Sequence, residues 1–300
     1  MIITGLHLLW SYKCIYECDH CFTWGSPRQE GTFTLGQLEN ILNQAEDLGT
    51  IEWFYFEGGE PFLYYATLLR AVERVHHRGF NCGIVSNAYW ATSEEDAMET
   101  LRPFADYVDD LSLSSDLYHS ERVMDEQIQN ATWAAEKLGI PAGTITIAQP
   151  EAAAGQAIGQ LPMGEIGVMY RGRAVEKLVD RAGRKPWDSF TKCPHEELRD
   201  PGRVHIDPLG NVHLCQGLSI GSLFTTPLEK IIDTYEPDEH PILGPLLEGG
   251  PAELVRRYDL PHDDGYADAC HLCFDARGKL RERFPGILTP EQMYGEPNNG

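Results

Sequence analysis

The sequence predicts an α/β protein: a partial (βα)6 barrel of the TIM type, followed by a small C-terminal β-hairpin/α unit. Three observations carry that expectation. Strand-like apolar segments alternate with amphipathic helical segments up to about Arg184, the pattern of right-handed βαβ units on a parallel sheet. Six such units fit before that point, whereas a full eight-unit barrel would need more chain. Beyond it the alternation stops, and residues 203–207 and 211–215, joined by Pro208-Leu209-Gly210, read as a β-hairpin.

The elements follow in order. Residues 5–12 are apolar and β-like. Residues 34–48 form a helix, with Thr34 and Gln37 spaced as a capping box, an apolar stripe of Leu38, Ile41, Leu42, Ala45 and Leu48, and Gly49 as its end. A strand at 51–56 runs into Gly58-Gly59-Glu60-Pro61. Helix 65–78 closes at Gly79, strand 80–85 precedes helix 93–104, and strand 107–114 precedes helix 120–138, which Gly139 ends. Strand 144–148 leads into a Gly/Ala-rich connector at 152–164; residues 166–170 supply a sixth strand and 174–181 its helix. A boundary is expected near residues 185–188, dividing the chain into units 1–185 and 186–300. Trp10, Trp53, Tyr55 and Trp90 read as core, Cys82 as an inert buried thiol, and His76-His77 as surface.

A formal net charge of −22 argues against nucleic acid, whose phosphates need a basic footprint, and against docking on anionic lipid. The apolar run from Gly5 to Trp10 is too short to span a bilayer and lacks the flanks of a signal peptide. A cytoplasmic protein is expected. In such a chain, clustered cysteines point to metal rather than to disulfides. Seven of the eight cysteines fall into two sets.

The first set, Cys14-x3-Cys18-x2-Cys21, comes directly after the first strand, at the end where α/β barrels place their chemistry. Such spacing lets one loop wrap a compact iron–sulfur cubane, and three thiolates leave one iron open. A zinc knuckle is the alternative, although His20 is too constrained between two cysteines to make a comfortable fourth ligand. The second set, Cys193, Cys215, Cys270 and Cys273, offers four thiolates. It suits either a fully ligated cluster or a structural zinc site.

The first set and the motifs at the next three strand ends together resemble the radical SAM superfamily. Gly58-Gly59-Glu60-Pro61 resembles that family's GGEP motif, Ser86-Asn87 stands where the family often carries Thr-Asn, and Ser114-Ser115-Asp116-Leu117-Tyr118-His119 resembles its S-x-D-G-x-H stretch, with Leu117 in place of glycine. The resemblance covers residues 5–149. It implies a [4Fe–4S] cluster on Cys14, Cys18 and Cys21 whose open iron binds S-adenosylmethionine, with His20 near the adenine. Gly58, Gly59, Glu60, Pro61, Ser86, Asn87 and Ser114 are implied as cofactor contacts. The second set resembles the SPASM and Twitch auxiliary-cluster domains. No cysteine comes after Cys273, so the single-cluster Twitch type, an auxiliary [4Fe–4S] cluster, is the better match.

Two arginines, Arg171 and Arg173, come just after the sixth strand. Either could clamp a carboxylate or form a surface ion pair; Arg173 is assigned to the cofactor, and Asp116 and Arg171 to catalysis. The expected activity is reductive cleavage of S-adenosylmethionine followed by hydrogen-atom abstraction from a small polar metabolite, an aminocyclitol dehydrogenase of the Twitch type being the family's example. Modification of a ribosomal peptide is the alternative; the first strand begins near Gly5, which leaves no room for a built-in leader-binding domain. A non-catalytic iron–sulfur or zinc scaffold is the third. The family resemblance implies an external electron donor such as flavodoxin or ferredoxin.

Overall fold

The computed structural model describes residues 1–119, 124–151 and 165–295. Strand β1 (Gly5–Ser11) is followed by helix α1 (Leu35–Leu48), β2 (Trp53–Gly58), α2 (Tyr65–His77), β3 (Asn81–Ser86), α3 (Glu94–Leu101), β4 (Asp110–Ser114), α4 (Glu126–Leu138) and β5 (Ala142–Ile147). Then come β6 (Glu165–Ile166), a short α5 (Ala174–Lys177), β7 (Lys185–Pro186), β8 (Arg203–Ile206), β9 (Asn211–Cys215), β10 (Leu218–Ser222), α6 (Leu228–Asp233), α7 (Leu243–Tyr258), β11 (Gly265–Tyr266) and α8 (Ala269–Leu280).

Among the described residues, nine strands form one sheet in the order β10-β9-β8-β1-β2-β3-β4-β5-β6. Every pair from β8 to β6 is parallel, while β9 and β10 fold back antiparallel. Strand alternation sorts the side chains by face. Leu6, Leu8 and Trp10 of β1 and Phe54 and Phe56 of β2 pack with Leu38, Ile41, Leu68 and Val72 of the helices in the main core. Leu9 and Glu57, on the opposite face, line an interior cavity. The capping box at Thr34 and Gln37 and the left-handed Gly49 stand as the sequence predicts.

Several elements differ from the sequence reading. The sixth strand is only two residues, and its helix stops at Lys177 before a 3-10 turn at Val179–Arg181. Helix α4 starts at Glu126, where the Asp125 side chain accepts from Ile128 N and supplies the cap. Ser120 and the connector 152–164 lie outside the described residues. The C-terminal hairpin does not form a sheet of its own: β8 pairs in parallel with β1, Gly5 opposite Arg203, so the barrel sheet runs through the expected 185/186 boundary.

Candidate active site

Strand β1 delivers the chain into a loop that carries Cys14, Cys18 and Cys21, and all three line one cavity of about 220 Å³ at the C-terminal ends of β1 to β5. Polar hydrogens point at two of the sulfurs. Tyr16 N donates to Cys14 Sγ at 3.4 Å and Gly25 N to Cys21 Sγ at 3.3 Å, while Asn87 Nδ2 reaches Cys14 Sγ at 3.6 Å. Burial pushes the Cys14 thiol up to about 12, against the opposing donors from Tyr16 and Asn87. Burial also raises Cys18, and the neighbouring cysteines add to it. Isolated thiolates there would be costly, whereas thiolates on a metal cluster are not, because coordination deprotonates them outright.

The Gly58-Gly59 turn holds this loop in place. Gly58 has φ +116°, and a Cβ on it would lie 2.6 Å from Ser11 O; a Cβ on Gly59 would lie 2.1 Å from Lys13 O. Gly59 N donates to Ser11 O at 2.6 Å and Glu60 N to Lys13 O at 2.8 Å. The two glycines therefore admit the protein's own cysteine loop, and both also line the cavity. The Glu60 side chain does not line the cavity. Its fully buried carboxylate accepts from Phe62 N (3.0 Å), Ser86 Oγ (3.0 Å) and Asn87 N (2.8 Å), tying the end of β2 to the end of β3. Pro61 is likewise buried as the first residue of a 3-10 turn. Ser86, Asn87 and Ser114 line the cavity, although the Ser86 hydroxyl also accepts from Ala88 N and Trp90 Nε1.

Asp116, almost fully buried, accepts from Tyr118 N at 3.0 Å and from His119 Nδ1 at 2.8 Å, and its Oδ2 lies 3.7 Å from His20 Nε2. Burial alone would raise its pKa, but His119 and His20 outweigh that and hold the carboxyl below its usual range. The His20 ring stacks on Tyr118 with centroids 4.6 Å apart. Burial lowers His20 to about 4, so the ring is neutral at physiological pH. Tyr118 and His119 thus position His20, a role that their sequence motif alone does not show.

Neither arginine is placed as the sequence reading has it. Arg173 donates from Nη1 to Cys18 O (2.9 Å) and from Nη2 to Gly25 O (2.8 Å), and its backbone N donates to Cys21 O. It pins the cysteine loop, and both of its Nη atoms are engaged by backbone carbonyls of that loop. Arg171 turns the other way, with Nη1 2.8 Å from Cys215 Sγ and 3.7 Å from Glu196. It lines the cavity of the second cysteine set and not that of the first. Gly172 between them has φ +60°, and a Cβ there would lie 2.4 Å from Phe22 Cα.

Cys193, Cys215, Cys270 and Cys273 line one small cavity together with Arg171 and Arg277. Cys270 and Cys273 come from α8, capped by Asp268. Cys215 ends β9. The chain before Cys193 enters a break in α7, where Gly250 has φ +67° and a Cβ would meet Lys192 N at 2.2 Å. Arg277, buried beside Cys273, donates to Gln216 O at 3.1 Å. Burial raises the Cys273 thiol to about 11, against the opposing Arg277 charge. Four converging thiols with two buried guanidiniums fit an anionic cluster; the same residues would also accept zinc.

Residues 8–146 match the profile of the Radical SAM superfamily. YydG of Bacillus subtilis (strain 168), named as a putative peptide biosynthesis protein, is 27% identical over 119 residues, 39% of this chain and 37% of that protein. An S-adenosylmethionine-dependent nucleotide dehydratase of Selenomonas ruminantium is 30% identical over 83 residues, 28% of each chain. The matched segments span only about a third of these relatives. Among solved structures, Streptococcus suis SuiB bound to S-adenosylmethionine aligns with TM-score 0.53 and 14% identity over 85% of this chain and 74% of that one. BtrN in complex with AdoMet and 2-DOIA aligns with TM-score 0.50 and 13% identity over 77% of this chain and 82% of that one. At these identities the structures show a shared partial-barrel fold. The matched segment, residues 8–146, takes in the cysteine loop at the end of the first strand, and it is this segment that is similar to the radical SAM superfamily.

Proposed function

We propose that this chain is an enzyme that reductively cleaves S-adenosylmethionine and removes a hydrogen atom from a substrate held in the same cavity. The observation that carries this reading is the convergence of Cys14, Cys18, Cys21, the Gly58-Gly59 turn and Asn87 on one cavity at the strand ends. Cys14, Cys18 and Cys21 would hold a [4Fe–4S] cluster, which with S-adenosylmethionine would supply the chemistry of reductive cleavage to methionine and a 5′-deoxyadenosyl radical.

The chain's own residues shape and shield that reaction. Asn87 and the Tyr16 and Gly25 amides direct hydrogens at the thiolates and so tune the cluster's potential. Neutral His20, fixed between Tyr118 and Asp116, is the residue that would pack on the adenine. Ser114 and Asp116 present polar groups to the cofactor and substrate, and Ile145, Ile147 and Met169 close the cavity with apolar surface that limits the radical's access to water.

Residues 186–300, as a functional unit, would hold an auxiliary [4Fe–4S] cluster on Cys193, Cys215, Cys270 and Cys273, which would offer an acceptor for the substrate's electron. An external donor such as flavodoxin or ferredoxin would supply the electron to the first set's cluster. All eight cysteines are free, in keeping with a reducing cytoplasm. Among the described residues, no helix is long and apolar enough to cross a membrane.

A small polar molecule remains the first reading for the substrate, resting on polar Glu57, Ser114 and Asp116 in the cavity wall. With Arg171 and Arg173 committed to the cysteine loops, a carboxylate on that molecule is no longer called for. Modification of a peptide is the second reading, favoured by the match to YydG. The test reconstitutes the enzyme anaerobically, reduces it and measures 5′-deoxyadenosine. About eight irons per chain are expected. Replacing Cys14, Cys18 or Cys21 by alanine abolishes cleavage, while replacing Cys270 and Cys273 together leaves cleavage and stops product formation. Wild-type cleavage in the first three variants contradicts the reading. Deuterium transfer into 5′-deoxyadenosine from labelled metabolites or from a labelled peptide decides between the substrates.

A further inference from the structure

Strand register brings a second group of metal-ligating side chains together inside the barrel. His7 of β1 lies opposite His205 of β8. Glu57 of β2 lies opposite Leu9, two residues along β1 from His7. With a side-chain period of two, His7 and Leu9 share a face, and the three side chains meet across three adjacent strands. Glu57 Oε2 is 3.4 Å from His7 Nδ1, and Glu57 Oε1 is 3.1 Å from His205 Nε2. The three ligand atoms all lie within 4.8 Å of one another.

An ordinary buried ion-pair network would hydrogen-bond these groups to each other. Here Glu57 stands at ion-pair distance from both imidazoles, yet among the described residues no hydrogen bond of good geometry reaches His7 Nδ1 or Glu57 Oε1. Their spacing instead suits atoms aimed at a shared point: ligands at zinc–nitrogen and zinc–oxygen bond lengths stand about 3.4 Å apart around a tetrahedral ion. The rings are also held in place. His7 stacks on Tyr55 with centroids 4.8 Å apart. Tyr55 in turn lies so close to β3 that a Cβ on Gly83 would come within 2.2 Å of its ring. The His205 side chain is 7% exposed. Glu57 lines the cavity that holds the first cysteine set, which gives an ion a way in.

We propose that His7, Glu57 and His205 form a mononuclear site for a divalent first-row transition ion, zinc foremost, separate from both cysteine sets. Two imidazoles and one carboxylate leave at least one coordination position for water or another oxygen or nitrogen donor. The ion would tie β8 to β1 and β2, the junction at which the C-terminal hairpin joins the barrel.

The test uses the full chain with its iron–sulfur sites reconstituted anaerobically. It is incubated with Zn2+, desalted and analysed for both metals by mass spectrometry. About one zinc per chain beyond the iron is expected. His205→Gln and Glu57→Gln should each lower bound zinc by more than about tenfold with iron content unchanged. Equal zinc in wild type and variants, or none in wild type, overturns the proposal. Should the variants lose iron through misfolding, Co2+ binding to the wild-type protein decides. Visible bands of tetrahedral cobalt with nitrogen and oxygen ligands support the site, whereas their absence, or thiolate charge-transfer bands alone, refutes it. Neither readout depends on turnover, so failure here leaves the proposed function standing.

Discussion

Arg171 and Cys215 meet at 2.8 Å, Nη1 to Sγ, and the same guanidinium lies 5.0 Å over the ring of Phe22, the neighbour of Cys21. One buried cation therefore touches the second cysteine set directly and the first through a single aromatic residue. A fixed positive charge beside a thiolate-bound cluster favours the reduced state. In the proposed auxiliary cluster, Arg171→Gln is expected to lower the midpoint potential by about 65–130 mV, the equivalent of losing one hydrogen bond to a charged group. A redox titration followed by electron paramagnetic resonance checks this, and an unchanged potential contradicts it.

Gly172 sits where no side chain fits, against Phe22 Cα and Cys21 O, with φ +60°. Gly172→Ala is expected to destabilise the fold by about 1–3 kcal/mol. It should also displace the loop that Arg173 clasps, so iron retained by the first set falls while any metal on the second set is kept. Thermal denaturation and iron analysis together test it; wild-type values in both would show that the contact yields freely.

Glu60 accepts three hydrogen bonds in the closed space between β2 and β3. In Glu60→Gln an amide NH2 must face one of those donors, at a cost of about 1–3 kcal/mol. Burial pushes the carboxyl from its ordinary 4.5 up to about 7, against those donors. Between these values the folded protein holds a proton that the unfolded chain has released, so this residue's contribution to stability declines as pH rises through that window. Denaturant titrations from pH 4.5 to 7 should show a shallower decline in the variant. Parallel curves would assign the slope to other groups.

His240 lines the cavity of neither cysteine set. Its Nδ1 accepts from Ile242 N (3.2 Å) and Leu243 N (3.1 Å) at the start of α7. Burial lowers it from 6.5 to about 4. The neutral ring's contribution is present above pH 6.5 and is lost as pH falls towards 4. His240→Asn keeps an acceptor that does not titrate. Its melting temperature should therefore drop less than that of the wild type between about pH 7 and about pH 5, and an equal drop in both counts against the cap.

The sequence made the first cysteine set and its strand-end partners readable because each chemical motif comes directly after an apolar strand. The four later cysteines, far apart in the chain, were readable only as a set. Their convergence depends on the break in α7 at Gly249 and Gly250 and on the turn of α8. Arg171 and Arg173 were misplaced for a physical reason: on either side of a left-handed glycine, two side chains diverge, and spacing alone cannot say which way each turns. Glu60 looked like a ligand because its motif is short and polar, yet its side chain closes a gap between two strands. His7, Glu57 and His205 carried no local signal, since they meet only through the register of β8, β1 and β2.

The pairing of Gly5 with Arg203 has a consequence for biogenesis. The strand that leads into Cys14 lies between one neighbour close in sequence and another whose residues are synthesised nearly two hundred positions later. Closing so long a loop is entropically slow, and contacts of high sequence separation form late. A nascent chain emerging from the ribosome would present its first three thiols before the sheet that frames them is complete. Cluster loading on this protein is thus a step for the finished polypeptide, and until then β1 offers an open edge to which a stray strand could add.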